Sequence, residues 1–119
     1  MKKAFNTRFQ LDWVDRVNAK RILDVYPEVS LVHIKLTTHY FEPVVFEYDL
    51  HPEDPLHLSV PCPNLDCTSK FILTNQLIMA LKTKTVQKDV IFCDGRETNK
   101  PGAYSCSAWL EYSIIPFLR

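Results

Sequence analysis

Hydrophobic and polar positions alternate over several stretches of this chain, and that two-residue period predicts strands. Residues 5–13 set Phe5, Thr7, Phe9, Leu11 and Trp13 against Asn6, Arg8, Gln10 and Asp12. Residues 29–41 repeat the pattern, with Val32, Ile34, Leu36, Thr38 and Tyr40 on one face and Leu31, His33, Lys35, Thr37 and His39 on the other. Glu42-Pro43 interrupts it, residues 44–50 resume it, and the pair reads as a long antiparallel hairpin. Leu56, Leu58 and Val60 alternate with His57 and Ser59 after a proline-rich loop, residues 89–93 form a short strand, and residues 105–115 form a long one ended by Pro116.

Two segments break from this period. Residues 18–26 offer good helix formers behind an Asn18 cap and stop before Pro27. Residues 74–82 place Leu77, Ile78 and Leu81 on one helical face, with Thr74 as the expected cap and Leu73 leading in. The expected fold is therefore α+β: a mainly antiparallel sheet of about six strands with two helices. Residues 1–119 form one domain, with a strand-rich half, 1–60, and a cysteine-bearing half, 61–119.

With 119 residues, 46% of them hydrophobic, the chain buries roughly two thirds of its unfolded surface. No apolar run approaches the roughly 18 residues that span a bilayer, so no membrane partner is expected. The basic N-terminus, Met1-Lys2-Lys3, has no continuous apolar stretch behind it, so no signal peptide is expected and the cytoplasm is the expected compartment. Spaced thiols in a reducing compartment point to metal or redox chemistry more than to disulfides.

Net charge is zero, which removes the simplest argument for nucleic acid. The charges are nevertheless segregated. Residues 36–69 hold no Lys or Arg but carry Glu42, Glu47, Asp49, Glu53, Asp54 and Asp66; residues 68–88 hold no acid and carry Lys70, Lys82, Lys84 and Lys88. Such runs are ordinarily solvated faces, and they are also what complementary surfaces of neighbouring molecules would look like.

The strongest chemical signal is Cys62, Cys67, Cys93 and Cys106, spaced C-x4-C and C-x12-C. Four thiolates suit tetrahedral Zn2+ and leave no coordination position open, so the expected cofactor is a structural zinc ion. Cysteine turns need amides that fold back on sulfur. Gly95, two residues after Cys93, would supply positive backbone dihedrals, and Asn64, two residues after Cys62, tolerates the same left-handed region. The second pair is expected at the base of a hairpin.

On Cys62-Pro63-Asn64, Cys67, Cys93-Asp94-Gly95 and Cys106, the region from about 60 to 112 resembles a zinc ribbon in a general way: two cysteine turns on β-structure closing one metal. It lacks a C-x2-C pair and carries a helical segment between the pairs.

Other constellations weigh less. His51-Pro52-Glu53 followed by Pro61-Cys62 and Cys67 mimics a nucleobase-deaminase signature, but only seven residues separate its parts and the cysteines are two residues too far apart. His51, Glu53, Asp54 and His57 fall within seven residues and would give a metalloenzyme site if they converged. His33 and His39 share a strand face but are too distant for a joint site. Trp13, Trp109, Tyr104 and Tyr112 read as core more than as a stacking platform.

No nucleophile, base and oxyanion arrangement is recognisable. The sequence thus points first to a non-enzymatic interaction or accessory protein with a protein partner or a second copy of itself. The alternative is nucleic-acid binding through Lys70, Lys82, Lys84, Lys88, Arg96 and Lys100, and the third reading is the His51–His57 metalloenzyme.

Overall fold

The computed structural model describes residues 19–95 and 106–119, and the alternating segment 5–13 lies outside them. Among the described residues, six strands and two helices follow in order: α1 (Ile22–Val25), β1 (Val29–Tyr40), β2 (Glu42–Leu50), β3 (Ser59–Pro61), β4 (Lys70–Ile72), α2 (Thr74–Thr83), β5 (Gln87–Phe92) and β6 (Trp109–Leu118). The architecture is α+β, with every strand pairing antiparallel.

A four-stranded sheet has the order β2-β1-β6-β5, and β3 with β4 makes a separate two-stranded ribbon. The alternation in β1 decides its faces. Val32, Ile34, Leu36 and Thr38 are buried, and Thr38 satisfies its hydroxyl by donating to the Val44 carbonyl at 3.5 Å. In β6, Leu110, Tyr112 and Ile114 turn the same way. α2 packs against β6 and β5 on this inner face, closing a core in which Ile34, Leu36, Leu73, Leu77, Leu81, Leu110 and Ile114 are fully buried.

Several expectations are corrected. α1 has only four residues, and Arg21 is its cap: the Asp24 carboxylate accepts from both the backbone N–H and the guanidinium of Arg21. The loop 51–55 completes this short helix, because the Asp54 and Pro52 carbonyls accept from the Ile22 and Leu23 amides that a helix start leaves orphaned. β2 begins at Glu42, so Pro43 lies inside an edge strand, where a missing N–H is tolerated.

Thr74 is the first residue of α2 and Leu73 its cap. The Thr74 hydroxyl is instead engaged by Leu58, accepting from its amide at 3.1 Å and donating to its carbonyl at 3.4 Å, which ties the helix to the approach of β3. β4, unforeseen in the sequence, pairs Lys70–Ile72 with β3. Pro116 continues β6 rather than ending it. It pairs with Val32 of β1, while the β5 ladder stops at Gln87–Ile114, so its missing donor lies where β6 has no β5 beside it.

Among the described residues, no helix is long and apolar enough to cross a membrane.

Candidate metal centre

Two separate β-units converge on the cysteines. β3 and β4 form a ribbon whose connection holds Cys62 and Cys67; it is closed by the Cys62 amide donating to the Ser69 carbonyl and the Cys67 amide to the Asn64 carbonyl. Cys93 follows β5 and Cys106 precedes β6. The ladder of that hairpin runs on through them, with Cys93 N–H donating to the Ala108 carbonyl and Cys106 N–H to the Gly95 carbonyl, both at 3.0 Å. The expected hairpin base is therefore present.

The four Sγ atoms all lie within 4.8 Å of one another, and they are the only group of three or more metal-type ligands brought together among the described residues. The shortest separations, 3.5 Å for Cys62–Cys106 and 3.6 Å for Cys67–Cys93, join one unit to the other. None of the four is in a disulfide. A tetrahedron with metal–sulfur bonds of about 2.3 Å has sulfur–sulfur edges of roughly 3.8 Å, so the arrangement fits a four-thiolate metal ion.

Donors surround the sulfurs. The amides two residues beyond Cys62, Cys93 and Cys106, those of Asn64, Gly95 and Ala108, all donate to sulfur. The same offset recurs at three of the four cysteines, and Ala108 is the member that the sequence did not reveal. Asn64 acts further through its side chain, which is only 2% exposed. Its Oδ1 accepts from the Asp66 amide at 2.9 Å, and its Nδ2 donates to Cys106 Sγ at 3.5 Å.

The reasons expected for Asn64 and Gly95 are both revised. Among the described non-glycine residues, only Phe41 and Lys84 have positive φ, so Asn64 needs no left-handed backbone. Gly95 also lies outside that region. What it requires is space, since a Cβ there would stand 2.5 Å from Cys67 Sγ and 2.6 Å from Ser69 Cβ. Ser69 in turn donates to the Asp94 carboxylate at 3.3 Å, joining the two units beside the sulfurs.

Burial raises the Cys62 thiol well above its ordinary range and pushes Cys93 up to about 11, against the pull of their amide donors. At Cys106 burial acts the same way, but donation from Ala108, Asn64 and Cys62 outweighs it and the thiol is lowered. Crowded, buried thiolates need positive charge, which a divalent cation at their centre supplies.

The other sequence candidates do not assemble. His51, Glu53, Asp54 and His57 form no common ligand group. Asp54 accepts from the His51 amide at 2.7 Å, and the His57 ring lies between the Ser59 and Thr74 hydroxyls. The Asp54 carboxylate and the His57 imidazole therefore serve local structure. Of the basic residues, Lys70 lies on β4, Lys82 lies in the last turn of α2, Lys84 is its left-handed cap and pairs with Glu28 at 3.1 Å, and Lys88 lies on β5. Arg96 and Lys100 lie outside the described residues.

One surface feature was missed. On the outer face of the sheet Pro43, His39, Trp109 and Phe92 form a row across all four strands. The His39 ring stacks on Trp109 at 3.8 Å and is held by Glu111 at 2.8 Å, while Phe92 flanks the indole and stays 71% exposed. Trp109, expected in the core, alternates with the buried Leu110, which puts it on the opposite face.

Compared with known proteins, the chain matches no family model, no curated protein and no solved structure.

Proposed function

We propose that this is a small zinc-stabilised domain acting as a non-enzymatic interaction or accessory protein. The observation that carries the metal reading is the convergence of four sulfurs from two β-units that share no strand. Soft thiolates in a tetrahedral set favour zinc over oxygen-seeking cations, and a closed set of four leaves the ion no position for substrate. Zn2+ bound by Cys62, Cys67, Cys93 and Cys106 neutralises their charge and fastens the β3–β4 ribbon to the β5–β6 hairpin. Its role is to hold the fold. The surface left for function is the outer face of the sheet, whose aromatic row lies beside the metal-bearing end of β5 and β6.

Metal analysis of the reduced, full-length protein tests this reading. One zinc per chain is expected, with an apparent binding free energy of about 10–16 kcal/mol near neutral pH. Chelation should then melt the cysteine-bearing half, seen as loss of amide dispersion for β3, β4 and the β5–β6 hairpin. Fully reduced protein that binds no metal, or that keeps this structure after complete metal removal, would contradict it.

A further inference from the structure

The two edges of the main sheet present different charged residues on its outer face. β2, from the stretch without Lys or Arg, forms one edge and carries Glu42, Glu47 and Asp49. β5 forms the other and carries Lys88 on the outer face, with Asp89 next to it on the opposite face. Among the described residues neither edge has a further strand beside it, and Lys88 has no ion-pair partner. Two strands stand between the edges, so within one molecule Lys88 lies across the width of the sheet from the β2 carboxylates.

Strand direction makes them compatible between molecules. Because every neighbour in the order β2-β1-β6-β5 is antiparallel, β2 and β5 run in opposite directions. A second copy added in the same orientation therefore presents its β2 antiparallel to β5, with the outer faces continuous.

Continuing the rows of the sheet defines one register for this addition. Glu47, Lys35, Ser113 and Lys88 lie in one row, Val45, Thr37, Glu111 and Val90 in the next, and Pro43, His39, Trp109 and Phe92 in the third. Continuing each row into the next copy sets Lys88 against Glu47, Val90 against Val45 and Phe92 against Pro43. On the outer face opposite charges and apolar pairs thus fall together, the combination that stabilises cross-strand neighbours, while on the inner face Ile91 meets Val44 and Asp89 meets Phe46.

The same register carries the hairpin tip of the second copy past the end of β5, towards Asp94. A groove of about 420 Å3 lies there, lined by residues of β4 and by Ile91, Phe92, Cys93 and Asp94. The tip residue is Phe41, 94% exposed and held at φ 67°.

We propose that this chain associates with copies of itself head to tail, the β2 edge of one molecule adding to the β5 edge of the next and Phe41 entering the groove beside β4. The proposal deepens the interaction reading by naming a second copy as the partner. The contact is heterologous, so it leaves a free edge at each end and growth need not stop at a dimer. A six-residue ladder is a small interface, which places the association in the weak class.

Sedimentation velocity on the full reduced chain, from micromolar to millimolar, reads it directly. Average mass should rise with concentration past the dimer and fall with added salt. Lys88→Glu and Glu47→Lys should each weaken association about fivefold or more, and an equimolar mixture of the two should regain the growth that neither shows alone. Val90→Glu with Val45→Lys repeats the exchange one row away, independently of the His33 contact that Glu47 makes. A wild-type monomer at millimolar concentration, growth that halts at a dimer, or mixtures no better than the single variants would overturn the proposal. So would a monomer whose β2 amides resist hydrogen exchange, since another part of the chain would then hold that edge. Zinc content measured on the same samples keeps failure of self-association distinct from failure of the metal reading.

Discussion

The side-chain amide of Asn64 donates to Cys106 Sγ at 3.5 Å, joining the first cysteine turn to a residue 42 positions later. Its carbonyl oxygen meanwhile holds the Asp66 amide, so one buried side chain shapes the turn and also orients a distant ligand.

Asn64→Ser should therefore cost more than a surface polar change. Losing the donor to sulfur and leaving the Asp66 amide unmatched should destabilise the metal-loaded protein by about 1–3 kcal/mol in denaturant titration. Metal affinity should fall about 10- to 100-fold, the usual effect of removing a group that orients a ligand. Competition with a chromogenic chelator measures the second quantity.

Gly95→Ala is ordinarily a mild change, but here the new methyl meets Cys67 Sγ and Ser69 Cβ at well under contact distance. The sulfur must move, so metal affinity should drop together with stability, the latter by about 1–3 kcal/mol as expected for overpacking. Equal metal affinity in wild type and variant would show that the hairpin and ribbon do not touch there.

Leu81 on α2 is fully buried against the inner face of the sheet. Truncation to alanine should destabilise by about 2–5 kcal/mol while leaving zinc stoichiometry in the folded fraction unchanged. Denaturation with parallel metal analysis separates this core defect from the two changes at the cysteines.

His33 stands between two carboxylates, with Nδ1 2.7 Å from Asp49 and Nε2 2.8 Å from Glu47. These hydrogen bonds, Asp49's first, raise its pKa above the ordinary value. A raised histidine adds stability that is complete below the unfolded pKa of about 6.5 and is lost as pH climbs through the higher folded value. His33→Gln should thus lose most relative to wild type near pH 6 and little near pH 9, by less than about 1 kcal/mol because both carboxylates are well exposed. Urea midpoints at the two pH values give the sign.

Much of this could be read from the chain because it is local. The alternation of β1 and β2, the apolar stripe of α2 and the hairpin flanking Cys93 and Cys106 all lie within short windows, and side-chain period reports them. The cysteine grouping was legible as well, since thiols at turn positions have few other uses.

Other features depend on partners far away in sequence. β4 is three residues long and exists because Ser59–Pro61 lies alongside it. Thr74 reads as a cap because nothing local reveals Leu58 waiting to engage its hydroxyl. Pro116 looks like a stop in the sequence, but whether a proline ends a strand depends on which side has a neighbour, and only the sheet order tells. The need for glycine at 95 likewise comes from sulfur packed against it, not from its own dihedrals.

The sheet order also bears on how the chain reaches its folded state. β1 and β2 are joined by a tight turn and can zip as soon as both are available, yet the strand on the other side of β1 is β6, about seventy residues further along. β6 is the inner strand that also receives β5, so the inner apolar face has no complete floor until Trp109–Leu118 inserts between β1 and β5. Closing so long a loop is entropically slow, and the earlier hairpin and helix must wait with their apolar sides incompletely covered. The transition state for folding should accordingly be organised around β1 meeting β6, and substitutions at Ile34 and Ile114, which face each other across that seam, should slow folding more than they speed unfolding.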